Sequence, residues 1–392
     1  MPTGPLLYRH AKRLNSSLHI GLMSTYPPKV CGLATFALAL ERALVDHDAR
    51  VSIVRVQGPS DAPTPAQVGV VTLTNGQERS IRNATGSLSR NDFAIVQHEY
   101  GIYGGPDGDE VLDILGALSV PSIVVLHTVP LSPTPSQRSV LIAVAARADH
   151  LVVMTKVAQS RLLSSFGIDE AKVSLIPHGA STVAASEGSD PADTGNRLLT
   201  WGLLGPGKGI EHVIEALGRL RTLDPQPNYT VAGVTHPNVF AAHGDAYRTW
   251  LMQRAQALGV RDTVTFDGAY RDDASLARLI ATATAVVLPY DSRDQVTSGV
   301  LVDAIAAGRP IIATAFPHAV ELLSTGAGIV VPHGDPEAMA AAIRMVLTDG
   351  VERERMAAEA RRLAPDLQWS AVAGRYLDLG RSLMRSARSV AI

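Results

Sequence analysis

Cysteine is nearly absent from the sequence: Cys31 stands alone, which excludes an intramolecular disulfide and a cysteine-rich zinc site. A reducing cytoplasm fits that usage. No run of about 18 apolar residues occurs, so no helix is expected to span a membrane. The stretch Met1 to Ser17 has no apolar signal core. There is no excess of charge either: 35 Lys and Arg stand against 37 Asp and Glu, a net of −2. That balance argues against a nucleic-acid partner, which calls for a strong basic surplus. No repeat of short period is visible.

What is present is material for sizeable cores, with 46% hydrophobic and 18% charged residues in 392. That length suits two domains of roughly 150–200 residues. Arg9, Lys12 and Arg13 form a small basic cluster, suited at most to weak contact with an anionic membrane surface and otherwise to a solvated terminus.

Short β-rich runs alternate with helix-length stretches throughout. His19–Met23, Val51–Val56, Val68–Thr72, Phe93–Gln97, Ile123–His127, His150–Met154 and Val173–Ile176 read as strands of a first sheet. Continuous apolar strands separated by helices predict a parallel sheet covered on both faces. The small, polar segment Ser181–Asn196 reads as a linker. The alternation restarts at Arg197, with strands expected at Arg197–Gly202, Tyr229–Gly233, Val264–Phe266, Ala285–Pro289, Pro310–Thr314 and Gly328–Val331. The expected fold class is α/β with two Rossmann-like, doubly wound domains, in which ligands bind outside the carboxyl ends of the strands. The predicted division is residues 1–180, a linker over 181–196, a second domain over 197–370, and a final helix over 371–392 that returns to the first domain.

Three segments carry chemistry. The first runs from Leu288-Pro289-Tyr290 through Asp291–Ser298 into Gly299–Gly308, where a strand ends and a helix begins. Free amides at Ser298, Gly299 and Val300 form an anion site there, or else Ser298 is an ordinary N-cap. Asp303 lies inside that apolar helix, where a ribose diol, or simply solvent, would satisfy its carboxylate. The second is the glycine loop Gly202–Gly209, which projects Lys208 toward the strand-end edge. It lacks both the Walker A pattern and the Gly-x-Gly-x-x-Gly order. The third lies in the N-terminal half: Ser24–Thr35 with Gly32 at a close approach, and His98, His127 and His178 at three strand ends. Asp107 and Asp109 have Asp-x-Asp spacing, but they precede an expected helix Glu110–Leu118 and read as its N-cap pair. No metal and no cofactor are expected.

Taken together, these segments resemble the retaining family 4 glycosyltransferases of the GT-B fold, over nearly the whole chain. STYPPKVCGLATF resembles the family's N-terminal glycine loop, and Val173–Gly179 (VSLIPHG) its interdomain strand end. Gly202–Leu217 resembles its phosphate-binding segment, and Gln295–Gly308 with Arg309–Ala313 its C-terminal signature; Trp369 opens an element resembling its crossing helix. The chain departs from the pattern with Gln295 for the first signature glutamate, Val296-Thr297-Ser298 for Gly-Phe-Gly, and Leu203 for the diphosphate arginine. Arg271 or Arg293 would have to replace that arginine. The pattern is that of a divergent subgroup similar to actinobacterial mannosyltransferases.

The resemblance implies a sugar-nucleotide donor, GDP-mannose ahead of UDP-glucose, and a saccharide or glycolipid acceptor. It implies Lys208, His127 and Gln295 as catalytic residues, and Gly32, His98, Thr297, Ser298, Gly299, Val300 and Asp303 as donor-binding residues. Two other classes remain open: a nucleotide-sugar epimerase using His98 or Glu99, and a non-catalytic sugar-nucleotide binder.

Overall fold

The structure is a computed structural model that describes residues 17–180 and 195–390, apart from 60, 62, 63 and 270. The basic cluster Arg9, Lys12 and Arg13 and nearly all of the expected linker therefore lie outside the described residues.

Two parallel sheets organise the chain. The first joins β1 (His19–Ser24), β2 (Arg50–Gln57), β3 (Val70–Thr74), β4 (Phe93–His98), β5 (Ser122–Leu126), β6 (His150–Val153) and β7 (Val173–Leu175) in the order β3-β2-β1-β4-β5-β6-β7. The second joins β8 (Arg197–Trp201), β9 (Asn228–Ala232), β10 (Val264–Asp267), β11 (Ala285–Leu288), β12 (Ile311–Thr314) and β13 (Gly328–Val331) in the order β10-β9-β8-β11-β12-β13. Every strand pair is parallel. β4, β5, β11 and β12 are buried along their whole length, as strands covered by helices on both faces must be.

Each sheet reverses its strand order once, between β1 and β4 and between β8 and β11. Such a reversal opens a crevice at the carboxyl end of the sheet. The loop before helix Gly32–Asp46 leaves β1 at the first of these points. The Lys208 loop leaves β8, and segment 289–298 leaves β11, at the second. The two carboxyl edges meet: a Cβ on Gly299 would lie 2.9 Å from two atoms of the His178 ring.

The chain crosses back at Trp369. Ala180 and Trp369 exchange backbone hydrogen bonds with the facing segment, Ala180 N–H to Leu367 O at 2.7 Å and Trp369 N–H to Ala180 O at 3.1 Å. The Trp369 ring lies over Gly179, where any Cβ would overlap it at 2.2 Å. Helix Trp369–Val390 then packs Val372, Ala373, Tyr376 and Leu377 into the same core as Phe36, Leu40, Phe93 and Ile95 of the first sheet. Gly380 allows that closeness, since a Cβ there would meet the Phe93 ring at 2.4 Å.

One local reading is corrected. Asp107 and Asp109 cap no helix. Helix Val111–Ala117 starts after Glu110, with no side-chain cap bond, and Asp107 sits in a left-handed turn at φ 51°. Glu110 instead binds amides of two loops, accepting from Gly76 N–H and from Gly104 N–H at 3.1 Å. The glycines around Gly104 form a folded turn that the sequence pattern reads as a simple helix entry.

Candidate functional site

Backbone geometry places Lys208. Gly202, Gly207 and Gly209 all have positive φ, at 122°, 88° and 65°. Gly209 lies so close to the end of β11 that a Cβ would come within 1.9 Å of the Pro289 carbonyl oxygen. Asp291 N–H donates to Gly207 O at 3.0 Å and closes the same contact. Seated in this way, the loop sets the Lys208 ammonium 4.6 Å from the centroid of the Tyr290 ring, itself 2% exposed. A π face attracts a cation but does not neutralise it. Among the described residues no carboxylate forms an ion pair with Lys208, and burial holds its pKa below the usual lysine range. This is a half-buried cation without an anion.

Helix Gly299–Ala306 follows the end of β11, the strand next to β8. Ser298 is its N-cap, the hydroxyl accepting from Leu301 N–H at 3.3 Å. The amides expected to bind an anion are fewer than the sequence suggests, because Ser298 N–H donates to His318 Nδ1 at 2.8 Å. Gly299 is small for a different reason from close phosphate approach: the His178 ring occupies the space of its side chain. The amides of Gly299 and Val300 remain without an acceptor among the described residues. Gln295 donates from its side-chain amide to Thr297 O at 3.1 Å, and Thr297 Oγ1 is buried without a partner. Asp303 lies one turn along the helix, half-buried.

The facing edge is of another kind. Gly32 begins helix Gly32–Asp46 with open space where its Cβ would be, so no atom of the described chain demands glycine there. One turn on, Phe36 meets His127, His178 and Trp369 edge-on, with centroids 4.9, 5.0 and 4.8 Å away. His127 Nε2 donates to the Gln97 side-chain oxygen at 2.5 Å, and His178 Nδ1 to Gly179 O at 2.6 Å. Burial pushes His127 down to about 3, with further lowering by His178 and His98; it pushes His178 down to about 4. His318 is also pushed down to about 3, by burial and then by His178. These imidazoles are neutral at pH 7.

His98 does not join the group around Phe36. Alternation along β4 turns it to the face of Ala94 and Val96, against the Tyr100 ring at 5.2 Å. There it is fully buried, with neither ring nitrogen partnered and a pKa of about 4. Its neighbour Glu99 accepts from the Thr128 hydroxyl and from Tyr100 N–H, and burial raises its pKa.

Sequence reasoning missed His318 and gave Tyr290 no role within the first segment, because both depend on which strand ends lie side by side. Neither expected substitute for the missing arginine stands out: Arg271 is paired with Asp267, and Arg293 is exposed. It also missed the one group, among the described residues, whose ligand atoms all come within 4.8 Å of one another: Glu211, His212 and Asp291. His212 Nε2 already meets Asp291 at 3.0 Å, and Glu211 accepts from Tyr247 OH at 2.6 Å.

Comparison with known proteins decides what this arrangement belongs to. Residues 30–183 match the family described as "Glycosyltransferase Family 4", and residues 184–363 the one described as "Glycosyl transferases group 1". The chain belongs to the family 4 glycosyltransferases. Among its relatives are a Mycobacterium tuberculosis glycogen synthase, 29% identical over 58% of this chain and 52% of that protein, and a Corynebacterium glutamicum D-inositol 3-phosphate glycosyltransferase, 29% identical over 59% and 57%. The chain thus spans about half the length of the curated relatives it matches. In fold, this family 4 chain resembles Anabaena HepE in complex with UDP and glucose, at TM-score 0.71, 17% identity and coverage of 92% and 99%. It likewise resembles the sucrose-phosphate synthase of Thermosynechococcus elongatus, at TM-score 0.71, 20% identity and coverage of 94% and 100%. The two sheets with interleaved helices are a GT-B fold. No helix among the described residues is long and apolar enough to cross a membrane.

Proposed function

We propose that this glycosyltransferase moves a hexosyl group from a nucleoside diphosphate sugar to a hydroxyl of a saccharide or glycolipid, with retention at the anomeric carbon. The observation that carries the reading is the uncompensated Lys208 ammonium and the open amides of Gly299 and Val300, which follow the neighbouring strands β8 and β11 at the second sheet's switch point. As the anomeric carbon–oxygen bond breaks, its electron pair goes to the departing diphosphate. A positioned cation and fixed amide dipoles stabilise that charge more than they stabilise the ground state. The acceptor oxygen bonds from the face the diphosphate leaves, its proton passing to a departing phosphate oxygen.

In this reading Asp303 holds the ribose, and Gln295 and Thr297 hold the sugar. Gly32 and His127 face them from the first domain. Because His127 is neutral, it serves as a hydrogen-bonding wall and not as a cation. No metal is needed for the charge compensation.

We favour GDP-mannose as donor, on the resemblance to actinobacterial mannosyltransferases. UDP-glucose is the second reading, favoured by the fold likeness to HepE bound to UDP and glucose. Incubation with each labelled sugar nucleotide, with and without saccharide acceptors, tests the proposal. Acceptor-dependent release of the nucleoside diphosphate is the expected result. An isomerised sugar nucleotide without acceptor would mean an epimerase, and unchanged bound donor a binding protein.

A further inference from the structure

We propose that segment 291–298, which carries Gln295 and Thr297, is held in its binding geometry by the first domain, with Asp294 and Val296 as its positioning residues. The inference rests on the reading of this segment as donor-binding.

Asp294 reaches across with both oxygens. One accepts from the Arg161 guanidinium, and the other accepts from Leu131 N–H at 3.1 Å. Arg161 belongs to helix Lys156–Phe166 of the first domain and is itself fixed, with a side chain 10% exposed and a second bond from Nη1 to Val129 O at 2.8 Å. Val296 is 3% exposed and belongs to the hydrophobic cluster of the first sheet, together with Val124, Leu126, Val129 and Tyr100. Between these two anchors, the Gln295 backbone oxygen accepts from His318 N–H of the second domain at 3.4 Å. Asp294 and Val296 thus engage one domain, while Gln295 stays with the other. Thr297 Oγ1 is left buried and unpartnered, a hydroxyl for a ligand to complete.

A second grip lies on the same helix but away from the segment. The Glu321 carboxylate accepts from Lys156 N–H at 2.9 Å and Val157 N–H at 3.1 Å, the exposed first turn where a negative charge is favoured. Glu321 therefore holds the domains together without touching the segment, and it serves as the control. If the segment is built by both domains, nucleotide affinity and domain contact are linked and must influence each other reciprocally.

The test uses the full chain and five substitutions: Asp294→Ala, Val296→Ser, Arg161→Ala, which alters no atom of the second domain, the conservative Asp294→Glu, and the control Glu321→Gln. UDP and GDP are titrated calorimetrically, and the radius of gyration is measured by X-ray scattering. The first three should weaken nucleotide binding by about tenfold or more and expand the molecule. Asp294→Glu should retain most of the affinity, and Glu321→Gln should expand the molecule with a smaller loss of affinity. Affinities within about twofold of wild type in all three, even with a lowered melting temperature, would overturn the inference and leave only a structural role. If the wild-type chain binds neither nucleotide, the functional reading fails, and scattering still decides the clasp: expansion upholds it and an unchanged radius overturns it.

Discussion

The two strand-end edges that meet in this molecule do different physical work. The second sheet's edge presents charge and dipoles: Lys208 without a counter-ion, and the Gly299 and Val300 amides with a helix behind them. The first sheet's edge presents neutral, sterically fixed rings: His127 and His178 locked around Phe36 and Trp369, with pKa values of about 3 and 4. In the proposed reading an anion is attracted from one side and shaped from the other. The histidines that invite a catalytic reading by their position are electrostatically silent. In the proposed reading the binding power lies in the Lys208 loop, where Gly209 is seated against Pro289.

The largest effect expected from this contrast is on Lys208. Lys208→Ala should lower transfer kcat/KM by at least about a hundredfold, close to 3 kcal/mol, in steady-state assays. A decline of less than about threefold would move the charge compensation elsewhere. Gly209→Ala should follow, because its Cβ would overlap the Pro289 oxygen at a φ of 65°. A stability cost of about 1–3 kcal/mol by chemical denaturation, with lost nucleotide binding, is the expected outcome. Unchanged stability and binding would mean that the loop is not seated as described.

The neutral histidines of both domains have their own signature in pH. His98, His127, His178 and His318 are neutral in the fold, with pKa values of about 4, 3, 4 and 3. In the unfolded chain a histidine takes up a proton near pH 6.5. Between about pH 6.5 and 4 the unfolded state therefore binds more protons, so stability is present above that window and is lost as pH falls through it. Each such histidine adds to that loss. Urea unfolding at pH 7 and pH 5 should show a marked loss at the lower pH, and equal stabilities would contradict the buried neutral rings.

Smaller effects remain. Asp303→Ala should weaken nucleotide affinity by about 1.5–3 kcal/mol, read by calorimetry, with little change in folding. Treatment with EDTA should leave most transfer activity intact. Activity lost to EDTA and restored by magnesium or manganese would instead direct attention to Glu211, His212 and Asp291.

Much of this was legible in the sequence because parallel, doubly covered strands have a plain pattern. β1 and β4 were each expected one residue short, and the restart at Arg197 falls at the first residue of β8. Helices Glu78–Leu88 and Pro317–Leu323 were not anticipated; the first carries Asn83 and Gly86 through its middle, and the second is barely two turns long. Lys208 and Ser298 were found because glycine loops and helix starts are local features. His318 on the Ser298 amide, His178 over Gly299 and Tyr290 under Lys208 join residues 20, 121 and 82 positions apart, and only the strand order brings them together. The misread N-cap at Asp107 and Asp109 shows the reverse case, in which a good local signal yields to a folded glycine turn.

The division of labour between the two edges is tested most directly by titrating UDP and GDP into wild type, Lys208→Ala and His127→Gln under identical conditions. Charge-assisted contacts to a diphosphate are worth about 1.5–3 kcal/mol, so Lys208→Ala should weaken binding by roughly ten- to a hundredfold or more. His127→Gln, which replaces one neutral hydrogen-bonding side chain with another, should leave nucleotide affinity within about threefold. Near-normal affinity in Lys208→Ala together with a collapse in His127→Gln would contradict the account at its centre.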